Sequence, residues 1–101
     1  MRAAEIQSDI TEVLVTEEQI RSKLDEIAAQ VAADYAGKDL LLVGVLKGAV
    51  MVMADLAREL RPHINMDWMA VSSYGAGTQS SGVVRIVKDL DSDLTGRHVL
   101  I

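Results

Sequence analysis

The chain has 101 residues, half of them hydrophobic and a quarter charged, a composition that fits one small globular domain and excludes a disordered segment. A net charge of −5 argues against electrostatic binding to nucleic acid or an anionic membrane, but leaves room for a small phosphorylated ligand held by a local nest of N–H groups. With no cysteine there is no disulfide framework or thiolate metal site, and with Tyr35, Trp68 and Tyr74 as its aromatics the core must be built from aliphatic residues and methionine.

Residues 1–10 read as a polar, loose lead-in without the apolar stretch of a signal peptide, and no run approaches the length of a membrane span. Val13-Leu14-Val15 is a short apolar run that fits an edge strand or a packed arm. Thr16 then opens a helix over 16–36. Gln19 completes a capping box, and Val15 and Ile20 stand at the staple positions. Ile20, Leu24, Ile27, Val31 and Tyr35 recur at helical spacing, with Ala28 and Ala32 beside them. Gly37 is placed to end the helix.

Asp39–Leu46 carries an almost unbroken apolar run, short enough for a strand buried on both faces. Lys47-Gly48 interrupts it. Residues 49–61 form a second helix stopped by Pro62, with Val50, Met53, Ala54, Ala57 and Leu60 as its expected buried face. A buried strand, a turn with one lysine and one glycine, and a helix N-terminus together make an anion site. The first N–H groups of a helix have no intrahelical partner, and its dipole adds partial positive charge. The plainer alternative is that Lys47 only snorkels from a strand end and Gly48 only turns the chain.

Residues 66–73 alternate as a strand, so helix, strand, helix and strand follow one another in the pattern of an α/β protein with a parallel sheet. In such sheets ligands sit beyond the carboxyl ends of the strands, where Lys47-Gly48 and Ser73-Tyr74 both fall. Residues 75–82 hold three glycines and no large side chain, and read as a mobile loop or a lid with Ser73 and Tyr74 at its root. Residues 83–88 form another strand, Asp89–Asp93 a polar turn, and His98–Ile101 begins an apolar strand. The acids of that turn lack the spacing of a calcium loop, and His63 and His98 are isolated.

VGVLKG, SSYG, the glycine-serine loop, VKDLDSDLTG and RHVLI stand in the order and spacing of the hypoxanthine-guanine phosphoribosyltransferases, and the chain from about Glu12 onward resembles their bacterial branch. The resemblance implies a doubly wound, mostly parallel sheet of the type I phosphoribosyltransferase kind. It implies diphosphate binding by Leu46, Lys47 and Gly48, with a non-proline cis peptide before the lysine, and a lid carrying Ser73 and Tyr74 as catalytic residues. By resemblance the reaction is purine salvage. It joins hypoxanthine or guanine to phosphoribosyl pyrophosphate with Mg2+, forming IMP or GMP and pyrophosphate in a cytoplasmic homo-oligomer. Trp68 stands where the family usually has phenylalanine. In the family, the strand matching His98–Ile101 runs into Val-Glu-Asp-Ile-Ile-Asp, which supplies the acids on ribose and metal. Residues 1–101 therefore read as the N-terminal part of a single phosphoribosyltransferase domain, with no metal ligand of their own and no transferase activity alone. Two other classes stay open: a non-catalytic phosphate-binding or interaction fragment, and an unrelated doubly wound ligand-binding domain.

Overall fold

A computed structural model describes residues 2–60, 64–73 and 84–101. It is an α/β arrangement with a four-stranded, mostly parallel sheet. The elements run α1 (Glu17–Asp34), β1 (Leu40–Leu46), α2 (Val50–Glu59), β2 (Ile64–Ser73), β3 (Val84–Lys88) and β4 (His98–Leu100), after a short 3-10 helix at Ala3–Asp9. The strand order is β3-β2-β1-β4. β1 runs parallel to β2, from Leu40 opposite Ile64 to Leu46 opposite Ala70, and parallel to β4 on its other side. β3 pairs antiparallel with β2.

α1 begins as its capping box requires. The Gln19 N–H donates to Thr16 Oγ1 at 3.1 Å, and the Thr16 N–H donates to Gln19 Oε1 at 2.8 Å. Glu17 in the first turn also pairs with Arg21 one turn on. Leu24, Ala28 and Val31 are buried, whereas Ile20 and Ile27 stay largely exposed, so the helix buries a narrower stripe than its apolar spacing suggests. Past the cap residue Tyr35, Gly37 takes φ +73° and turns the chain into β1.

Two expectations for the N-terminal segment fail. Residues 3–9 are not a loose lead-in but the 3-10 helix, whose first turn is closed by the Arg2 N–H donating to Glu5. Val13-Leu14-Val15 forms neither a strand nor a packed arm. All three are more than half exposed, and no strand edge among the described residues takes them up.

β1 is buried from Leu40 to Gly44, as its unbroken apolar run requires of a strand with neighbours on both sides. Leu40 and Leu42 meet Ala28 and Val31 of α1 and Met53, Leu56 and Leu60 of α2 in one cluster, so both helices lie on one face. Here the expected face of α2 needs correction. Met53, Leu56 and Leu60 are buried, while Val50 and Ala54 are exposed and Ala57 is half-buried. The longer side chains, not the alanines, reach the β1 leucines.

Gly44 stands opposite Trp68 in the β1–β2 register, and the indole lies across it. A Cβ at Gly44 would come within 2.5 Å of the ring, so only glycine lets Trp68 pack against the core cluster. Asp67, one residue earlier, points to the opposite face by strand alternation and is 5% exposed. Its carboxylate is fully engaged. Oδ1 accepts the Trp68 N–H at 2.8 Å, and Oδ2 accepts the Asp91 and Ser92 N–H groups at 3.0 and 2.8 Å. Burial pushes the Asp67 pKa up. The N–H groups of Trp68, Ser92 and Asp91 and the Ser92 side chain outweigh it and leave the group below its ordinary value.

Two outcomes test this packing. Gly44→Ala should destabilise the chain by about 1–3 kcal/mol through overpacking against Trp68, read as a lower denaturation midpoint; an unchanged midpoint would show that the ring yields freely. A depressed folded pKa at Asp67 stabilises the fold above the unfolded carboxylate pKa of about 3.9, and that stabilisation disappears as pH falls from there through the folded pKa. Asp67→Asn should therefore flatten the loss of stability on acidification below about pH 4, in urea melts taken across pH 2–6.

Candidate functional site

The carboxyl end of β1 carries the residues singled out for anion binding. Leu46 is half-buried, Lys47 and Gly48 are exposed, and the Leu46–Lys47 peptide is cis, as the resemblance implies. The chain then turns tightly. The Val50 N–H donates to the Lys47 carbonyl at 3.1 Å, and the Ala49 N–H reaches the Val45 carbonyl at 3.4 Å. α2 starts at Val50 behind Ala49, which supplies no side-chain cap.

That uncapped start leaves donors free. The N–H groups of Gly48, Met51 and Val52 meet no acceptor among the described residues. The Lys47 ammonium meets no carboxylate within ion-pair distance among them either. No acidic residue occupies the first turn of α2, so nothing there neutralises the positive end of the helix dipole. Among the described residues a Cβ on Gly48 would meet no atom within 4 Å beyond its chain neighbours, and its φ lies outside the left-handed region. Neither packing against the described residues nor backbone conformation calls for glycine here. What remains is open space over the backbone, into which a ligand can come close.

β2 ends at the same side of the sheet. Leu46 lies opposite Ala70, and Ser73 closes the strand three residues on, its backbone paired with Val84 of β3. The Lys47 turn and the end of β2 therefore flank one another at the carboxyl margin, where open α/β sheets bind ligands. Tyr74 and the 75–82 loop lie outside the described residues, as do Pro62 and His63.

A cleft of 740 Å³ lies elsewhere. Its walls are Arg2, α1 from Glu17 to Asp25, and the C-terminal half of α2, and its charges already pair as Arg21–Glu17 and Arg58–Asp55. It holds none of the residues picked out by the sequence. Among the described residues no group of three or more His, Asp or Glu could hold a metal ion. No helix among the described residues is long and apolar enough to cross a membrane.

Sequence reasoning missed the residues beneath this margin: Gly44, Asp67 and Lys88. Lys88 Nζ donates to the Trp68 carbonyl at 2.9 Å and the Asp89 carbonyl at 3.0 Å, and lies 3.5 Å from the Asp91 carboxylate. The available signal for Asp67 was an acid set between Met66 and the apolar run Trp68–Val71, which has to find donors if it is buried.

Comparison with known proteins agrees with this architecture. The phosphoribosyl transferase domain family matches residues 11–101. The hypoxanthine-guanine phosphoribosyltransferase of Streptococcus agalactiae is 50% identical over 95 residues, covering 94% of this chain and 53% of that protein. The Mycobacterium tuberculosis protein of the same name is 52% identical over 99 residues, covering 92% of this chain and 49% of its own length. The crystal structure of a hypoxanthine phosphoribosyltransferase from Staphylococcus aureus superposes with a TM-score of 0.86 at 45% identity, over 94% of this chain and 52% of that one. The chain thus spans about half the length of the curated relatives it matches. With a match across nearly all its residues and the same sheet at this level of identity, the chain belongs to the phosphoribosyl transferase domain family.

Proposed function

We propose that residues 1–101 form the N-terminal part of a single phosphoribosyltransferase domain, in a protein that makes IMP or GMP and pyrophosphate from phosphoribosyl pyrophosphate and hypoxanthine or guanine. The observation that carries this reading is the 50% identity, over 94% of the chain, to proteins named hypoxanthine-guanine phosphoribosyltransferases. In this reading Leu46, Lys47 and Gly48 hold the diphosphate. Fixed donors there meet the charge that builds on the departing pyrophosphate and stabilise the transition state electrostatically. Ser73 and Tyr74 act from the lid, whose closure excludes the water that would hydrolyse the activated sugar.

Mg2+ belongs to the same reading, and no group of three or more acids or histidines among the described residues fits it. The working protein is proposed to be a cytoplasmic homo-oligomer, without nucleic acid or membrane as partner. The last point is in keeping with the net charge of −5 on residues 1–101.

Lys47 supplies the direct test. Lys47→Ala should weaken pyrophosphate binding by about 1.5–3 kcal/mol, the contribution of a hydrogen bond to a charged group. The melting temperature should stay nearly unchanged, since the side chain is exposed. Titration calorimetry giving equal affinity for both proteins would remove Lys47 from the site. No binding by the unaltered chain would favour a fragment without a working phosphate site. Tyr74 tests the lid in the full-length enzyme. Tyr74→Ala should lower turnover and raise hydrolysis of the activated sugar while the fold survives. A large fall in melting temperature with normal turnover would make Tyr74 a packing residue instead.

A further inference from the structure

Along the edge facing away from β1, β2 pairs with β3 between Ala70 and Ser73 among the described residues, and the register shifts between Ala70 and Val71. Just before that point the Trp68 backbone is satisfied by side chains. Its N–H donates to Asp67 Oδ1 at 2.8 Å, and its carbonyl accepts from Lys88 Nζ at 2.9 Å. The two clamping groups are themselves tied to the segment after β3. Asp67 Oδ2 holds the Asp91 and Ser92 N–H groups, and Lys88 Nζ also bonds the Asp89 carbonyl. Side chains thus do for Trp68 what a neighbouring strand would otherwise do through its main chain.

Trp68 is therefore gripped at both ends of its backbone while its ring lies against Gly44. Gly44 is three residues upstream of Lys47 on β1. Any tilt of the indole presses on the part of β1 that ends in the cis Leu46–Lys47 peptide.

We infer that Asp67 and Lys88 are positioning residues: they hold Trp68 as a fixed pad under the end of β1 and so set the Lys47-Gly48 turn for its anionic ligand. The functional half of this inference rests on the diphosphate reading of that turn. The mechanical half, from clamp to Trp68 to β1, does not.

The experiment uses Asp67→Asn and Lys88→Met in the 101-residue chain, with Lys88→Arg as the conservative variant. Trp68 is the one tryptophan, so acrylamide quenching of its fluorescence reports on the pad alone. Amide exchange at Val45 and Leu46 reports on the end of β1, and calorimetry with inorganic pyrophosphate reports on the turn. In folded Asp67→Asn and Lys88→Met proteins, quenching and exchange should both rise. Pyrophosphate affinity should fall about two- to thirtyfold, the range of coupling carried through packed neighbours, and Lys88→Arg should recover most of it. Folded variants with unchanged quenching and unchanged exchange at Val45 and Leu46 would overturn the clamp. Increased quenching with undiminished pyrophosphate affinity would overturn its positioning role. If Asp67→Asn does not fold, Lys88→Met decides by the same readouts. If the unaltered chain does not bind pyrophosphate, the diphosphate reading fails, and the clamp is judged on quenching and exchange.

Discussion

Burial of β1 on both faces is the constraint from which the other placements follow. A strand with Leu40 to Gly44 out of water needs a neighbour on each edge and cover above and below. β2 and β4 supply the edges in parallel register, and α1 and α2 cover the face that carries Leu40 and Leu42. Parallel pairing makes the next step unavoidable. A chain leaving the carboxyl end of β1 has to cross back through α2 before β2 can start, so the turn at Lys47 sits where a strand ends and a helix begins. The free donors at that turn are a by-product of the crossover, and Lys47 and Gly48, both exposed, stand beside them.

Local features were the legible ones. Thr16 and Gln19 lie three residues apart and bond each other, so the start of α1 could be read from four letters. The apolar run of β1 and the break at Lys47-Gly48 were equally plain. What could not be read depends on distance along the chain. Asp67 meets its partners 24 and 25 residues later, and no pattern within β2 points to Asp91 or Ser92. Gly44 has a meaning only once the register sets Trp68 opposite it. The α2 face was misjudged because spacing treats alanine and leucine alike, whereas reach decides which side chain touches the sheet. Val13-Leu14-Val15 shows the opposite error: apolar letters with no surface among the described residues to pack on. Of the site, Lys47 and Gly48 could be placed from the sequence, whereas the cis bond before Lys47 came from resemblance alone.

The chain exposes 8064 Å² of surface, against about 5,600 Å² for a compact protein of its mass by the usual scaling. It is also thin, 18 Å along its shortest axis. Both helices lie on one face of the sheet, while Asp67 on the other face is covered by backbone from the segment after β3. A buried carboxylate facing an irregular segment is an economical arrangement, because it satisfies N–H groups that such a segment cannot pair for itself.

The outer margin of the sheet has a bearing on how copies of the chain meet. β3 forms one margin of the sheet, and Val84, Ile86 and Val87 on it are each more than half exposed. An apolar margin with free backbone groups is a template for a second copy to add a strand. In the sequence VRIVK only Arg85 and Lys88 carry charge, so they are what interrupts that template. Arg85 is exposed on that strand, whereas the Lys88 ammonium is turned in to the Trp68 carbonyl, so loss of the Arg85 charge would be felt first in colloidal behaviour at high protein concentration.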